Sequence, residues 1–324
     1  MLSLSELQVL VEQLVAEAAI QSEPQALYEP ANYILSLGGK RIRPLLCLIA
    51  AELVGGRATD AFSVAKCVEY FHNFSLVHDD IMDNAALRRG KQTIHERYGL
   101  NTAILSGDVM LVCAYEQLTE NIDKHLPYLF QVFNRTARQV CEGQQYDMLF
   151  ETATEVSIKE YLRMIELKTA VLLGASLQMG AIVGGANKRN RQMLYEYGRH
   201  IGIAFQLQDD ILDTFGDEKT FGKKIGGDIL QNKKTFLLIK ALELADPTTQ
   251  TKLHFWINEP KPVEQEKIAA VTQIYQQLGV LQLAQAEMQN HYNLATQYLD
   301  DIAVAEQQKT NLRLITQQLM HRVQ

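Results

Sequence analysis

Two five-residue stretches place carboxylates at one shared spacing. Asp79, Asp80 and Asp83 in DDIMD, and Asp209, Asp210 and Asp213 in DDILD, both read D-D-x-x-D. On a helix, residues four apart share a face. Asp79 then stands beside Asp83 and Asp209 beside Asp213, with the middle aspartate on the flank. Such like charges repel by a few tenths of a kcal/mol in water. In a partly desolvated cleft the repulsion at about 4 Å reaches about 4 kcal/mol. A hard divalent cation relieves it, and magnesium commonly bridges carboxylates to phosphate oxygens. The competing explanation is a pair of acidic, solvated helix ends. Two copies, each embedded in apolar residues, favour the metal. Facing helices of a bundle build metal sites in this way. EF-hand loops do not fit, since their central glycine and terminal glutamate are missing, and di-iron bundles need Glu and Glu-x-x-His.

Cations flank both acidic sets. GGKRIRP supplies Lys40, Arg41 and Arg43 behind two glycines, next to a helix expected to start near Pro44. Flexible backbone, dense positive charge and a helix N-terminus make a cradle for an anion. LRRG adds Arg88 and Arg89, and FGKKIGGDILQNKKT adds Lys223, Lys224, Lys233 and Lys234. Any one cluster fits a solvated surface; the whole arrangement fits a multiply charged anion better. GDEKTFGKK is no P-loop, because its glycine spacing is wrong and no Ser or Thr follows the lysine.

The elements that must carry these residues read as helices. Long proline-free stretches place apolar residues at three- and four-residue spacing. AFSVAKCVEYFHNFSLVHDDIMD is one, with Asp60 as its expected N-cap; VSIKEYLRMIELKTAVLLGASLQMGAIV and RNRQMLYEYGRHIGIAFQLQDDILDTFG are others. The seven prolines fall where helices can start or stop, and no alternating β-branched run with hairpin turns stands out. No linker divides the chain. The expectation is one all-α domain over residues 1–324, a bundle of many helices. The 324 residues are 47% hydrophobic and 21% charged, with a formal net charge of −7. That is an ordinary globular composition, and the acidic balance argues against nucleic acid as a partner. Cys47, Cys67, Cys113 and Cys141 form no CxxC pair and read as reduced, buried packing residues in a cytoplasmic protein. The N-terminus reads as an amphipathic helix rather than a signal peptide. Thr169–Asn187 is apolar but glycine-rich and barely long enough to span, so it reads as a buried helix, not a membrane span.

Taken in order, GGKRIRP, LVHDDIMDNAALRRG, GDVML, EGQQYD, LKTA, FQLQDDILD and FGKKIGGDILQNKKT resemble the trans-isoprenyl diphosphate synthases, or polyprenyl synthetases. The resemblance implies an all-α bundle around a deep central cavity, usually a homodimer. It implies a transferase that joins an allylic diphosphate to isopentenyl diphosphate with magnesium, as three ions on the substrate diphosphate. It places Asp79, Asp80, Asp83, Asp209, Asp210 and Asp213 at the metals, and Arg88, Lys168, Lys233 and Lys223 on the allylic diphosphate. Lys40, Arg43, His72 and Arg89 fall in the isopentenyl diphosphate pocket. Thr169, Gln206 and Gln144 fall where the family supports the reacting carbons. Asp79, Asp209, Lys168, Thr169 and Gln206 are thereby the catalytic set.

The same resemblance ties product length to residues four and five positions before Asp79, here Ser75 and Phe74. One small and one aromatic residue implies a medium product, C20 geranylgeranyl diphosphate, with C15 farnesyl diphosphate as the alternative. Helix geometry adds that Ser75 lies one turn below Asp79 and Phe71 one turn below Ser75. Met110 and Tyr115 are further candidates for a floor. A terpene cyclase would need no second diphosphate site. A non-catalytic partner subunit would have lost aspartates or cations, and none is missing.

Overall fold

The computed structural model describes residues 1–120, 125–217 and 225–320. Among these residues the structure is all-α except for one two-strand ribbon. The elements are α1 (Leu4–Glu17), α2 (Gln25–Ser36), α3 (Ile42–Leu53), α4 (Phe62–Met82), β1 (Leu87–Arg88), β2 (Lys91–Gln92), α5 (Ile94–Tyr98), α6 (Leu100–Thr119), α7 (Leu126–Thr152), α8 (Ile158–Ile165), α9 (Val171–Val183), α10 (Lys188–Phe215), α11 (Gly227–Leu230), α12 (Phe236–Leu244), α13 (Pro247–Asn258), α14 (Glu264–Gln277), α15 (Val280–Asp300) and α16 (Glu306–Met320). They fall into two compact units. One holds Met1–Ala137, Leu172–Tyr195 and Asp301–Arg313; the other holds Arg138–Val171, Glu196–Asp300 and Leu314–Gln324.

In the first unit α4 is the central helix. Val64, Ala65, Val68, Phe71 and Val77 bury its apolar face, and the aspartate motif lies at its C-terminal end. Asp60 does not cap it. Ala58–Ala61 forms a separate 3₁₀ turn, and the Asp60 carboxylate accepts from the Arg57 amide at 2.9 Å within that turn, so α4 begins at Phe62. The glycines of α9 serve close packing: a Cβ at Gly180 would stand 2.8 Å from the Cys47 Cα on α3. Pro30 lies inside α2 rather than at an end.

The second unit is built on Phe150, Tyr161, Ile165, Leu207, Phe236 and Tyr275. Between α8 and α9, Glu166–Ala170 forms a π turn in which the Val171 amide donates to the Glu166 carbonyl. Such turns insert a residue into the helix and re-aim the side chains they carry, here Lys168 and Thr169. Glycines hold the turn from both sides. A Cβ at Gly143 on α7 would stand 2.6 Å from the Lys168 Cα, and one at Gly202 on α10 would stand 2.5 Å from the Ala170 Cα.

Ile158–Val183 is long and apolar enough to cross a membrane, but 83% of its most apolar window is buried in the protein, as in a core helix. Cys47, Cys67 and Cys113 are buried as expected; Cys141 is exposed on α7.

Candidate active site

The first unit gathers one half of the expected residues. Arg88 on β1 reaches back to the end of α4, its Nε donating to both Asp80 oxygens at 2.9 and 2.8 Å and its Nη2 to Asp79 Oδ2 at 3.2 Å. Asp80 is only 2% exposed. Burial raises its pKa, against the pull of Arg88. Asp83 caps α4, its amide donating to the Asp79 carbonyl at 2.8 Å. The ribbon that delivers Arg88 turns through Arg89 (φ 53°) and Gly90 (φ 73°), both left-handed, which matches the twist of a two-residue hairpin. This short antiparallel pairing, Leu87 with Gln92 and Arg88 with Lys91, has no apolar alternation to announce it.

The turn brings Arg89 onto the GGKR loop, where its guanidinium donates to the Gly38 carbonyl and leaves no room for a Cβ at Gly39. Arg41 departs from the anion cradle read in the sequence. Its backbone is left-handed (φ 45°), which turns the side chain inward onto Glu69 and the Leu35 carbonyl. It is a buried ion pair under the loop. Lys40 is exposed on the loop itself. Arg43 Nη1 donates to His72 Nε2 at 3.1 Å. Burial, then the charges of Arg43, Arg89, Arg88 and Arg41, hold the His72 pKa well below the usual imidazole value. The ring is therefore neutral, with its proton on Nδ1. Burial lowers the Arg43 pKa to about 10, which leaves it cationic near neutral pH.

Upstream on α4, Ser75 Oγ donates to the His72 carbonyl at 2.8 Å. Phe71 touches Phe74 and Phe133 (centroids 5.6 and 5.3 Å), and Phe133 meets Tyr115 at 4.9 Å. Phe74 leans on His78 at 4.8 Å. His78 packs on α6, against Gly107 and the Ile104 carbonyl. Phe74 thus belongs to the α6 side of α4 and Ser75 to the face of Asp79.

The second unit gathers the other half around a cavity of about 190 Å³. Lys168, Thr169, Gln206, Asp209, Asp210, Asp213 and Lys233 all line it. Thr169 Oγ1 donates to Gln206 Oε1 at 3.2 Å, Gln206 Nε2 to Asp210 Oδ1 at 3.2 Å, and the Tyr161 hydroxyl to Asp210 Oδ2 at 2.5 Å. The two middle aspartates are thus alike: Asp80 and Asp210 are buried and held by protein donors. Burial, then the nearby Asp228 carboxylate, raises the Asp210 pKa well above the usual carboxylate range. Asp213 Oδ2 accepts from the Asp228 amide at 2.9 Å. Lys168 Nζ contacts Asp147 Oδ2 at 2.6 Å, and Lys233 lies 3.9 Å from Asp228.

Lys234, one of the flanking cations, also lines this cavity, as do Asp147, Tyr161 and Asp228, to which the sequence assigns no site role. Asp147 and Asp228 stand inside quoted motifs; Tyr161 has no signal beyond an amphipathic helix. Gln144 is not among the lining residues, and its buried Nε2 has no hydrogen-bond partner among the described residues. Lys223 lies outside the described residues.

The donor set fits a hard cation. Only carboxylate oxygens are offered by Asp79, Asp83, Asp209 and Asp213, without nitrogen or sulfur ligands. Among the described residues no three candidate ligands converge into a complete shell. Magnesium keeps waters and takes substrate oxygens, so a partial set suffices.

The family model for polyprenyl synthetases matches residues 24–278. A geranylgeranyl diphosphate synthase of Methanosarcina mazei is 41% identical over 235 residues, 72% of each chain. A crystal structure of a geranylgeranyl pyrophosphate synthase superposes with a TM-score of 0.95 at 44% identity, covering 100% of both chains. The geranylgeranyl pyrophosphate synthase of Corynebacterium glutamicum, solved with isoprenyl diphosphate and magnesium, gives 0.88 at 26% identity, with 99% and 100% covered. With acidic helix ends, their basic partners and this likeness over nearly the whole length agreeing, the chain belongs to the polyprenyl synthetase family and is an isoprenyl diphosphate synthase, a prenyltransferase.

Proposed function

We propose that this enzyme condenses an allylic diphosphate with isopentenyl diphosphate in the trans configuration and releases the C20 product, geranylgeranyl diphosphate. The observation that carries the length is on α4. Small Ser75 follows the face of Asp79 downward, and Phe71, one turn further, packs on Phe133, which in turn meets Tyr115. A chain growing past Ser75 meets an aromatic floor. Two relatives named as geranylgeranyl synthases support the same length.

Arg88, Lys168 and Lys233 hold the allylic diphosphate beside the carboxylates, which bind magnesium, as three ions. When bound, the metal offsets the charge of the departing diphosphate. Arg43, Arg89 and Lys40 hold the isopentenyl diphosphate, with neutral His72 accepting from Arg43. Thr169 and Gln206, ordered by their mutual hydrogen bond, turn oxygen dipoles toward the allylic carbon. These fixed dipoles favour the cation formed when the carbon–oxygen bond breaks. Neither is a strong enough nucleophile to trap it. The isopentenyl double bond then attacks, and the released diphosphate takes the proton. Apolar walls exclude the water that would quench the cation.

A homodimer accords with α6, where Leu100, Ile104, Leu105 and Val112 are exposed at helical spacing. Covering such a stripe removes apolar surface from water. Incubation with labelled isopentenyl diphosphate, farnesyl diphosphate and magnesium tests the length. A C20 product supports the proposal. Termination at C15, with farnesyl diphosphate left unused, or elongation beyond C20 contradicts it.

A further inference from the structure

We propose that Lys267 on α14 is a positioning residue for the diphosphate-binding loop that carries Lys233 and Lys234. The inference rests on assigning that loop to the allylic diphosphate. Lys267 is 2% exposed, unusual for a lysine outside an ion pair. Its Nζ donates to Asn232 Oδ1 at 2.7 Å and approaches the Leu230 carbonyl at 3.4 Å.

Asn232 is the hinge of the loop. Its backbone is left-handed (φ 53°), and its amide donates to the Ile229 carbonyl at 3.2 Å, where α11 ends. Its Nδ2 donates to the Ile257 carbonyl on α13 at 3.0 Å while its Oδ1 receives Lys267 from α14. One side chain therefore ties the loop to two helices. Lys233 and Lys234 follow directly and face the cavity with Asp209, Asp213 and Asp228.

The other end of the loop is fixed from the same helix. Gly226 (φ 83°) donates to the Asp213 carbonyl at 2.6 Å, and a Cβ there would stand 2.7 Å from the Ile268 side chain, the neighbour of Lys267. Lys267 and Asp228 also line one narrow cavity of about 10 Å³. Without it, Asn232 Oδ1 would be a half-buried acceptor that has lost its donor, a state that favours local rearrangement. Lys233 and Lys234 would lose their fixed height over the cavity, while Arg43, His72 and Arg89 would be untouched.

The test compares Lys267→Met, Asn232→Ala and the double variant with the intact enzyme. KM for farnesyl diphosphate, KM for isopentenyl diphosphate, kcat and melting temperature are measured for each. Lys267→Met should raise the allylic KM about tenfold or more, as loss of outer support does elsewhere, and move the isopentenyl KM less than about twofold. Asn232→Ala should reproduce the split, and the double variant should be no worse than the poorer single, since both break one contact. If Lys267→Met does not fold, Asn232→Ala carries the test alone. Unchanged allylic KM, or both KM values rising together with loss of folded protein, overturns the proposal. Asp209→Asn serves as reference. If it abolishes turnover while the Lys267 and Asn232 variants behave as wild type, the positioning role fails by itself. If it too is silent, the site assignment fails and the inference with it.

Discussion

Gly143 lies directly against Lys168, so that a Cβ at residue 143 would stand 2.6 Å from the Lys168 Cα. The glycine of EGQQYD is therefore a spacer for the π turn that presents Lys168 and Thr169. Gly143→Ala must push that turn away. Overpacking of this kind costs about 1–3 kcal/mol of stability, and a misplacement near 1 Å costs about 100-fold in rate. Steady-state kinetics with thermal melting should show kcat falling by about that factor while folded protein remains.

Removing the aromatic ring of Phe74 should lengthen the product. Phe74 supports Phe71 at 5.6 Å, and Phe71 is the residue beneath Ser75. Phe74→Ala is expected to shift products beyond C20 on chromatography of the labelled diphosphates. Unchanged products would rule Phe74 out as a stopper. Phe71→Ala opens the floor itself but costs about 3–5 kcal/mol, so its products are best read at low temperature.

The Tyr161 hydroxyl is a donor to a buried carboxylate, at 2.5 Å from Asp210 Oδ2. Tyr161→Phe leaves that oxygen short of a partner, a loss of about 1–3 kcal/mol. The variant should melt earlier and need more magnesium for half-maximal rate, by about tenfold. An unchanged magnesium requirement would reduce Tyr161 to a packing residue.

Acid should destabilise the fold through two histidines. His72 is held neutral chiefly by burial, and burial with Arg199 and His291 lowers the His200 pKa to about 3. Below about pH 6.5 the unfolded chain takes up protons at both positions and the folded chain does not. Stability from these groups is thus intact above pH 6.5 and declines on acidification toward pH 4. Each histidine contributes up to about 1.4 kcal/mol per pH unit. Urea melts across this range should show the decline, and His200→Gln should make it shallower.

The helices carrying the motifs were legible because their apolar spacing is regular, and α4, Ile158–Val183 and α10 all stand where the pattern put them. The i,i+4 relation of Asp79 to Asp83 follows from that alone. What could not be read depends on single backbone departures. Residue type and charge in GGKRIRP do not distinguish Arg41 from Arg43, and only the family resemblance singles out Arg43; a left-handed φ at Arg41 turns that side chain inward to Glu69. The π turn at Glu166–Ala170 has no compositional mark. Tyr161 and Asp147 enter the cavity only through packing of α8 and α7, with spacings that match ordinary amphipathic helices.

The central claim is that Asp79 and Asp209 both serve magnesium-dependent binding of one allylic diphosphate. Calorimetric titration of a non-reactive allylic diphosphate analogue, with and without magnesium, tests it most directly on wild type, Asp79→Asn and Asp209→Asn. Magnesium should tighten wild-type binding, and each substitution alone should remove that gain. Full magnesium-dependent affinity in either variant would contradict it.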